Sequence, residues 1–472
     1  MSASLARRMT PDVSRSSRWT ILASGRIVCA LETRQSAFSG PMPGTERRPE
    51  GLSKTTMWSS WIKMSGIGII GLLQGIECRS LMIDWSQNML ICSWRHALCA
   101  FFGGLLVFIL LPGSVTAEDE FLGDGVQLTT HDRFVKAGEA YFSPDGSRVI
   151  FQAVEQVEEG QLPDEFYGMY LGDVVFTDGR PELRDVRRVS PPGSANTCGW
   201  FDPIDPNVLW FASTVEPPEE ETDAPGYQRS GRYKWMFPPQ MRVVKYDLRK
   251  GEPTPENLEV MAGDGTAYVA ECSISPDGRY LLYCTLSTGQ GDLFVRDLET
   301  GEDVALITAP GYDGGPFFSP DGRRICYRSD RHNNNYLQLF VAELKFNDDG
   351  DIIGVEREHQ VTDNRHVNWA PFWHPGGRHL VYATSQMGHR NYEVFIVDAM
   401  SDREADPPRD RYGTALRRIT NFPGADVLPA FDPKGRYMMW TSQQDPSGTS
   451  QLWMAPFTLD PRMQSERAST ER

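Results

Sequence analysis

The sequence predicts an all-β fold, a six-bladed β-propeller of four-stranded antiparallel blades closed by an N-terminal strand in the last blade. Three observations predict it. A hairpin motif built on Pro-Asp-Gly, or a close variant, occurs six times after residue 118. Each copy is followed by a β-rich run, and most repeats continue with two further strand patterns. An unpaired strand pattern precedes the first copy, while the last repeat ends one strand short.

The copies are Tyr141–Gly146, Trp200–Pro203, Ser273–Gly278, Phe317–Gly322, Phe372–Gly377 and Ala430–Gly435. Proline at the second turn position presets φ, Asp or Gly tolerates the next, and glycine closes the reversal. In the second copy Ile204-Asp205-Pro206-Asn207 replaces Asp-Gly, which predicts a hairpin one or two residues longer. Third strands are expected at 292–298, 337–344, 392–399 and 451–457. Fourth strands are expected to end at 187–191, 258–263, 305–310, 359–364 and 417–422. The orphan Val126-Gln127-Leu128-Thr129 has the fourth-strand pattern, so it is expected to complete blade six and cover an exposed edge.

The chain before residue 118 reads differently. Ala97–Leu111 is apolar, follows Arg95-His96 and leads to a small-residue ending at Ala117. That is the pattern of a secretory signal peptide over 89–117, with an uncleaved anchor as the alternative. The run is shorter than the roughly 20 residues a spanning helix needs. Residues 1–88 are expected to be a mis-assigned or disordered extension, 118–459 the propeller, and 460–472 a disordered tail. The net charge is −16, and the first 117 residues are net basic, so the rest is strongly acidic. Such a body repels nucleic acid and anionic lipid. Of the eight cysteines, Cys198, Cys272, Cys284 and Cys326 fall in the propeller without metal-ligand spacing. They are expected as buried free thiols, with one disulfide as the alternative.

The repeats resemble the TolB-type propeller repeat family over about residues 125–457, most specifically in Gly311–Gly322. The resemblance implies an exported, periplasmic or secreted, non-enzymatic propeller that binds protein. It also implies no cofactor and no catalytic residue. TolB itself carries an α/β domain between signal peptide and propeller, and this chain is expected to lack it.

Candidate chemistry is sparse. No G-x-S-x-G elbow of a serine hydrolase is present. His131, His332, His359, His366, His374, His379 and His389 are expected as scattered surface groups. His366 and His389 carry the alternative of a lyase or hydrolase acting on carbohydrate. Counting seven and five residues back from each motif proline, positions expected to share a strand face, yields one polar group per blade: Glu139, Asn196, Glu271, Asp313, Asn368 and Asp426. These are expected to ring the axis and attract a cation or a basic peptide, with the alternative that they only bond the neighbouring blade's backbone. The blade-two insert at 214–240 contributes Tyr227, Arg229, Tyr233, Trp235 and Phe237, the composition of a binding hot spot, with the alternative of a loop folded over the propeller face that buries its own aromatics. The expected partner is a protein or envelope polymer, with no nucleic acid, no metal, no membrane span after cleavage, and a monomeric chain.

Overall fold

The computed structural model describes residues 121–218, 238–400, 413–460 and 463, together with the backbone of short strands at 18–21, 27–30, 228–229 and 233–234. The chain divides into two compact units, Met1–Leu106 and Val107–Arg472. In the first, Arg18–Ile21 pairs antiparallel with Ile27–Ala30. The signal-peptide expectation at 89–117 lies outside the described residues.

In the second unit, six four-stranded antiparallel sheets follow one another along the chain. Their innermost strands are Phe134–Phe142, Asn196–Phe201, Val269–Ile274, Asp313–Phe318, Asn368–Trp373 and Asp426–Phe431. We number the blades 1 to 6 in that order. Blades 1 to 5 end on the outer strands Arg180–Arg188, Leu258–Ala262, Asp303–Ile307, Ile352–Gln360 and Thr414–Arg418. Blade 6 takes its outer strand from Val126–Gln127, where Gln127 faces Trp453 and Val126 faces Met454.

Four of the five expected fourth strands lie slightly late, because the segments named mark the exit from the outer strand, while 258–263 coincides with Leu258–Ala262. At that exit a hydroxyl caps the neighbouring strand. Met169 N–H donates to Ser190, Leu339 N–H to Thr362 and Val394 N–H to Thr420, at 2.8 to 3.0 Å. Leu452 N–H donates in the same way to Thr129 at 2.8 Å. The closing segment therefore makes the bond that a continuous blade makes, although it arrives from the opposite end of the chain.

The hairpin turns show why the motif repeats. The Ser143 hydroxyl donates to Asp145 at 2.6 Å and accepts the Arg148 N–H at 2.9 Å, which locks the reversal from inside. Ser275 and Ser319 accept the N–H groups of Tyr280 and Arg324 likewise. Gly146 has φ +76°, and a Cβ there would meet Pro433 of blade 6 at 3.3 Å. Glycine thus serves both the turn and the seam that closes the ring. In blade 2 the turn is one residue longer, and the Asp202 carboxylate accepts the N–H groups of Ile204 and Asp205.

The core sits between blades rather than within them. One cluster joins Leu282, Cys284 and Leu293 of blade 3 to Ile325, Tyr327 and Phe340 of blade 4. A second joins blades 5 and 6 through Val394, Phe431 and Trp440, and takes in Phe121, Phe457 and Met463. Met463, in the segment expected to be a tail, is thus buried; most of 460–472 lies outside the described residues.

Candidate functional site: a stoppered axial pocket

Each innermost strand breaks register with its neighbour shortly before the turn. At every break one residue takes a positive φ: Glu139 (46°), Cys198 (56°), Glu271 (57°), Gly315 (59°), Ala370 (52°) and Leu428 (54°). These are β-bulges, and each re-aims the side chains around it. The strict alternation that put positions five and seven back from the proline on one face therefore does not hold.

The consequence divides the six polar candidates. Glu139 and Glu271, which sit at bulges, line a cavity on the axis. Asn196, Asp313, Asn368 and Asp426 stand at the first residue of their strands, are fully buried and do not line it. Asn196 donates to the backbone oxygens of Tyr167 (2.9 Å) and Ser194 (2.8 Å). Asn368 donates to Asn364 and accepts from Thr384. Asp426 accepts from the Trp440 indole at 3.2 Å, and burial raises its carboxyl. Asp313 stands 3.4 Å from Arg331, and burial pushes it up to about 7. Asn196, Asp313 and Asn368 tie strand starts to adjacent loops, Asp426 bonds the second strand of its own hairpin, and the structure does not gather the four into a ring.

Three residues before the proline, where four copies carry an aromatic, the side chains meet across the axis. Tyr141, Trp200, Phe317 and Phe372 stand with ring centroids 5.3 to 6.3 Å apart. Blades 3 and 6 supply the small Ser273 and Ala430 at the same position, which leaves room for the four rings. Such tilted and edge contacts suit aromatic quadrupoles. The rings form a stopper. On the turn side lies an apolar funnel of about 300 Å³, and on the other side an axial pocket of about 330 Å³. Tyr141 and Phe317 are shared walls of both cavities.

Two carboxylates with different partners line the pocket. Glu271 is bound to Arg328 at 2.7 Å, with side chains 3% and 7% exposed, and accepts the Tyr312 hydroxyl at 2.7 Å. It also accepts the N–H of Gly315, the bulge residue of blade 4. A Cβ on residue 315 would fall 2.1 Å from the Arg328 guanidinium, so this bulge needs glycine. Glu139 is only partly buried and accepts from neutral groups, the Thr197 hydroxyl at 3.1 Å and the Tyr141 hydroxyl at 3.4 Å. Burial raises its carboxyl above the usual glutamate range, with the nearby Glu271 adding to the shift. Tyr167, Cys198 and Trp369 complete the walls.

Arg328, Tyr167 and Trp369 were not among the sequence candidates. Arg328 lies inside the second strand of its hairpin, where the motif gives no cue. The stopper was not among the sequence expectations either, although four of the six copies carry an aromatic three residues before the proline.

The pocket opens at the end where innermost strands begin, and the connections between second and third strands emerge there as well. Tyr167, at the close of the blade-one insert, is in its wall. The blade-two insert leaves and re-enters the same end, where Ser213 pairs with Arg242. Within that insert the backbone pairs Arg229 with Tyr233; Tyr227, Trp235 and Phe237 lie outside the described residues.

The histidines are not all surface groups. His359 and His379 are 2% and 3% exposed. His374 packs edge-on against Phe431, with ring centroids 4.9 Å apart. His389 lies 3.4 Å from the Tyr392 hydroxyl. Among the described residues no group of three or more His, Cys, Asp or Glu is placed to hold a metal ion. Cys272, Cys284 and Cys326 are buried free thiols, while Cys198 is partly exposed and free. No helix among the described residues is long and apolar enough to cross a membrane.

No family model matches the chain. It is 31% identical over 110 residues to an uncharacterised protein of Agrobacterium fabrum, covering 23% of this chain and 34% of that one. It is 24% identical over 217 residues to the Tol-Pal system protein TolB of Wolinella succinogenes, covering 45% of this chain and 44% of that one. The matches thus span less than half the length of these curated relatives. Similar solved structures include a putative TolB from Agrobacterium tumefaciens, at 16% identity and TM-score 0.40, covering 68% of this chain and 91% of that one. TolB from Acinetobacter baumannii matches at 17% identity and TM-score 0.42, covering 66% of this chain and 64% of that one. Six closed blades and the repeated turn make the chain a six-bladed β-propeller, and part of its sequence is similar to TolB proteins.

Proposed function

We propose that the chain is an exported, non-enzymatic propeller of the periplasm or cell exterior that binds a protein or envelope polymer as a monomer. The observation that carries this reading is the stopper. It turns the channel into a blind pocket whose mouth shares one face with the inserts of blades 1 and 2. Large aromatic and arginine side chains around a concave centre are the usual anchors of a binding surface. The blade-two insert, whose ends at Ser213 and Arg242 lie at that face, carries Tyr227, Arg229, Tyr233, Trp235 and Phe237 in its sequence. The relatives named as Tol-Pal system proteins are consistent with an envelope role.

Affinity capture from an envelope extract tests the proposal, with the full chain as bait. A specific partner whose capture is lost when 219–237 is replaced by a short Gly-Ser linker supports it. Unchanged capture removes the insert from the binding face, and no specific capture at all overturns the reading.

A further inference from the structure

We propose that the axial pocket receives one lysine-type side chain, a primary ammonium on an apolar stem, with Glu139 as its counter-ion. This rests on the binding reading above and names the group on the partner that enters the propeller.

The argument is one of unspent hydrogen-bonding capacity and charge. Glu271 is committed: Arg328, Tyr312 and the Gly315 N–H already fill its oxygens, and the pair is neutral together. Glu139 is different. It faces the same cavity, and among the described residues no lysine or arginine is bonded to it. Its left-handed backbone, at φ +46°, is an unusual conformation for a glutamate and aims the side chain at the axis. The Thr197 and Tyr141 hydroxyls and the Cys198 thiol donate to it, three neutral donors against the four bonds that two carboxylate oxygens accept. One acceptor site and the charge itself are left, and an ammonium supplies both a donor and the opposite charge.

The walls set the rest of the ligand. Trp369 and the stopper rings Tyr141 and Phe317 present aromatic surface around the carboxylate, while the Tyr167 ring already carries the Lys136 ammonium 4.3 Å from its centroid. Such surface accepts a methylene stem and favours a cation over a ring face. About 330 Å³ holds a side chain but not a folded segment. A divalent ion is a poor match, because calcium takes six to eight oxygen ligands and only one carboxylate is uncommitted. Guanidinium prefers a planar two-point approach, which the bonds from Thr197 and Tyr141 partly obstruct.

Calorimetry on the intact chain tests this with blocked tripeptides, acetyl-Gly-Lys-Gly-amide against its norleucine and arginine counterparts, and with calcium chloride. The lysine peptide is expected to bind roughly tenfold or more tighter than the norleucine peptide, the scale of a charged hydrogen bond. Glu139→Gln is expected to abolish that preference. The wild-type preference is also expected to shrink on acidification, at a higher pH than an ordinary glutamate would give, which tests the counter-ion without any variant. Equal binding of lysine and norleucine peptides overturns the inference, as does a lysine preference that survives in Glu139→Gln. Tighter binding of the arginine peptide or of calcium overturns the choice of ammonium. No lysine preference with envelope capture intact removes this pocket assignment alone. A lysine preference with no captured partner removes the binding reading instead.

Discussion

Replacing Glu271 by glutamine keeps the side chain's shape and removes its charge, leaving Arg328 buried without a counter-ion. The pair is 2.7 Å long, and its side chains are 3% and 7% exposed, so solvent screens neither charge. Removing one partner of a buried pair costs about 3–5 kcal/mol, because the survivor keeps its desolvation cost. Glutamine also presents an NH₂ where the carboxylate accepted from Tyr312, Gly315 and Arg328, so at least one donor faces another donor. With a urea m-value of about 3 kcal/mol/M, the unfolding midpoint should fall by about 1 to 1.7 M. The double change Glu271→Gln with Arg328→Met removes both charges and should recover most of that loss. Urea titrations followed by tryptophan fluorescence and far-UV circular dichroism measure all three proteins. A Glu271→Gln midpoint within about 0.3 M of the wild type would refute the reasoning, since that is roughly 1 kcal/mol and the size of a solvated surface pair. So would a double variant no better than the single.

Other expectations follow from the same geometry. Thr129→Val strips the hydroxyl that caps Leu452 and should destabilise by about 1–3 kcal/mol in urea titration, through one buried N–H left unpaired at the ring closure. Phe372→Ala removes one stopper ring and should cost about 3–5 kcal/mol; acrylamide quenching of tryptophan should rise as Trp200 and Trp369 gain solvent access. Burial holds His374 and His379 at about 4, so the folded chain keeps them neutral while the unfolded chain takes up protons below about 6.5. Their contribution is present above that pH and is lost as pH falls toward 4; His379→Gln should flatten this acid limb in denaturation curves at pH 6.5, 5.5 and 4.5. Asp313 runs the other way. Its folded value of about 7 lies above the unfolded one, so its contribution is complete below about pH 4 and is lost as pH rises through 7, and Asp313→Asn should flatten that limb.

Much of the fold was legible because its determinants are local. Ser143, Pro144, Asp145 and Gly146 specify their turn through bonds among near neighbours, so the motif marks every hairpin regardless of what surrounds it. The closing strand was legible by arithmetic, one strand over at the start and one short at the end. Four of the five outer-strand ends were placed late because their strongest pattern, an apolar residue followed by Ser or Thr, belongs to the exit rather than the ladder. Val189-Ser190 shows this, bonding back to Met169 after the strand has finished.

The site was legible only in part, and the bulge is the reason. A one-residue irregularity in a strand leaves no mark on composition, since Glu, Cys, Gly, Ala and Leu all occupy it here. Only Gly315 has the residue type usually associated with positive φ, and there the Arg328 guanidinium excludes any Cβ. Period-two counting across that irregularity moved Asn196, Asp313, Asn368 and Asp426 onto the axis when they sit at the strand starts, bound to loops or, for Asp426, to the second strand of its hairpin. The same irregularity sets how the remaining groups divide the axis. Residues before the bulge anchor the strand starts, the bulge residues face the pocket, and the position two further on fills the channel with aromatic rings in four blades. An axial ring of six equivalent polar groups would suit an open, ion-attracting channel. A stopper beneath one committed and one uncommitted glutamate suits a single inserted group, and Glu139 is the residue on which that distinction turns.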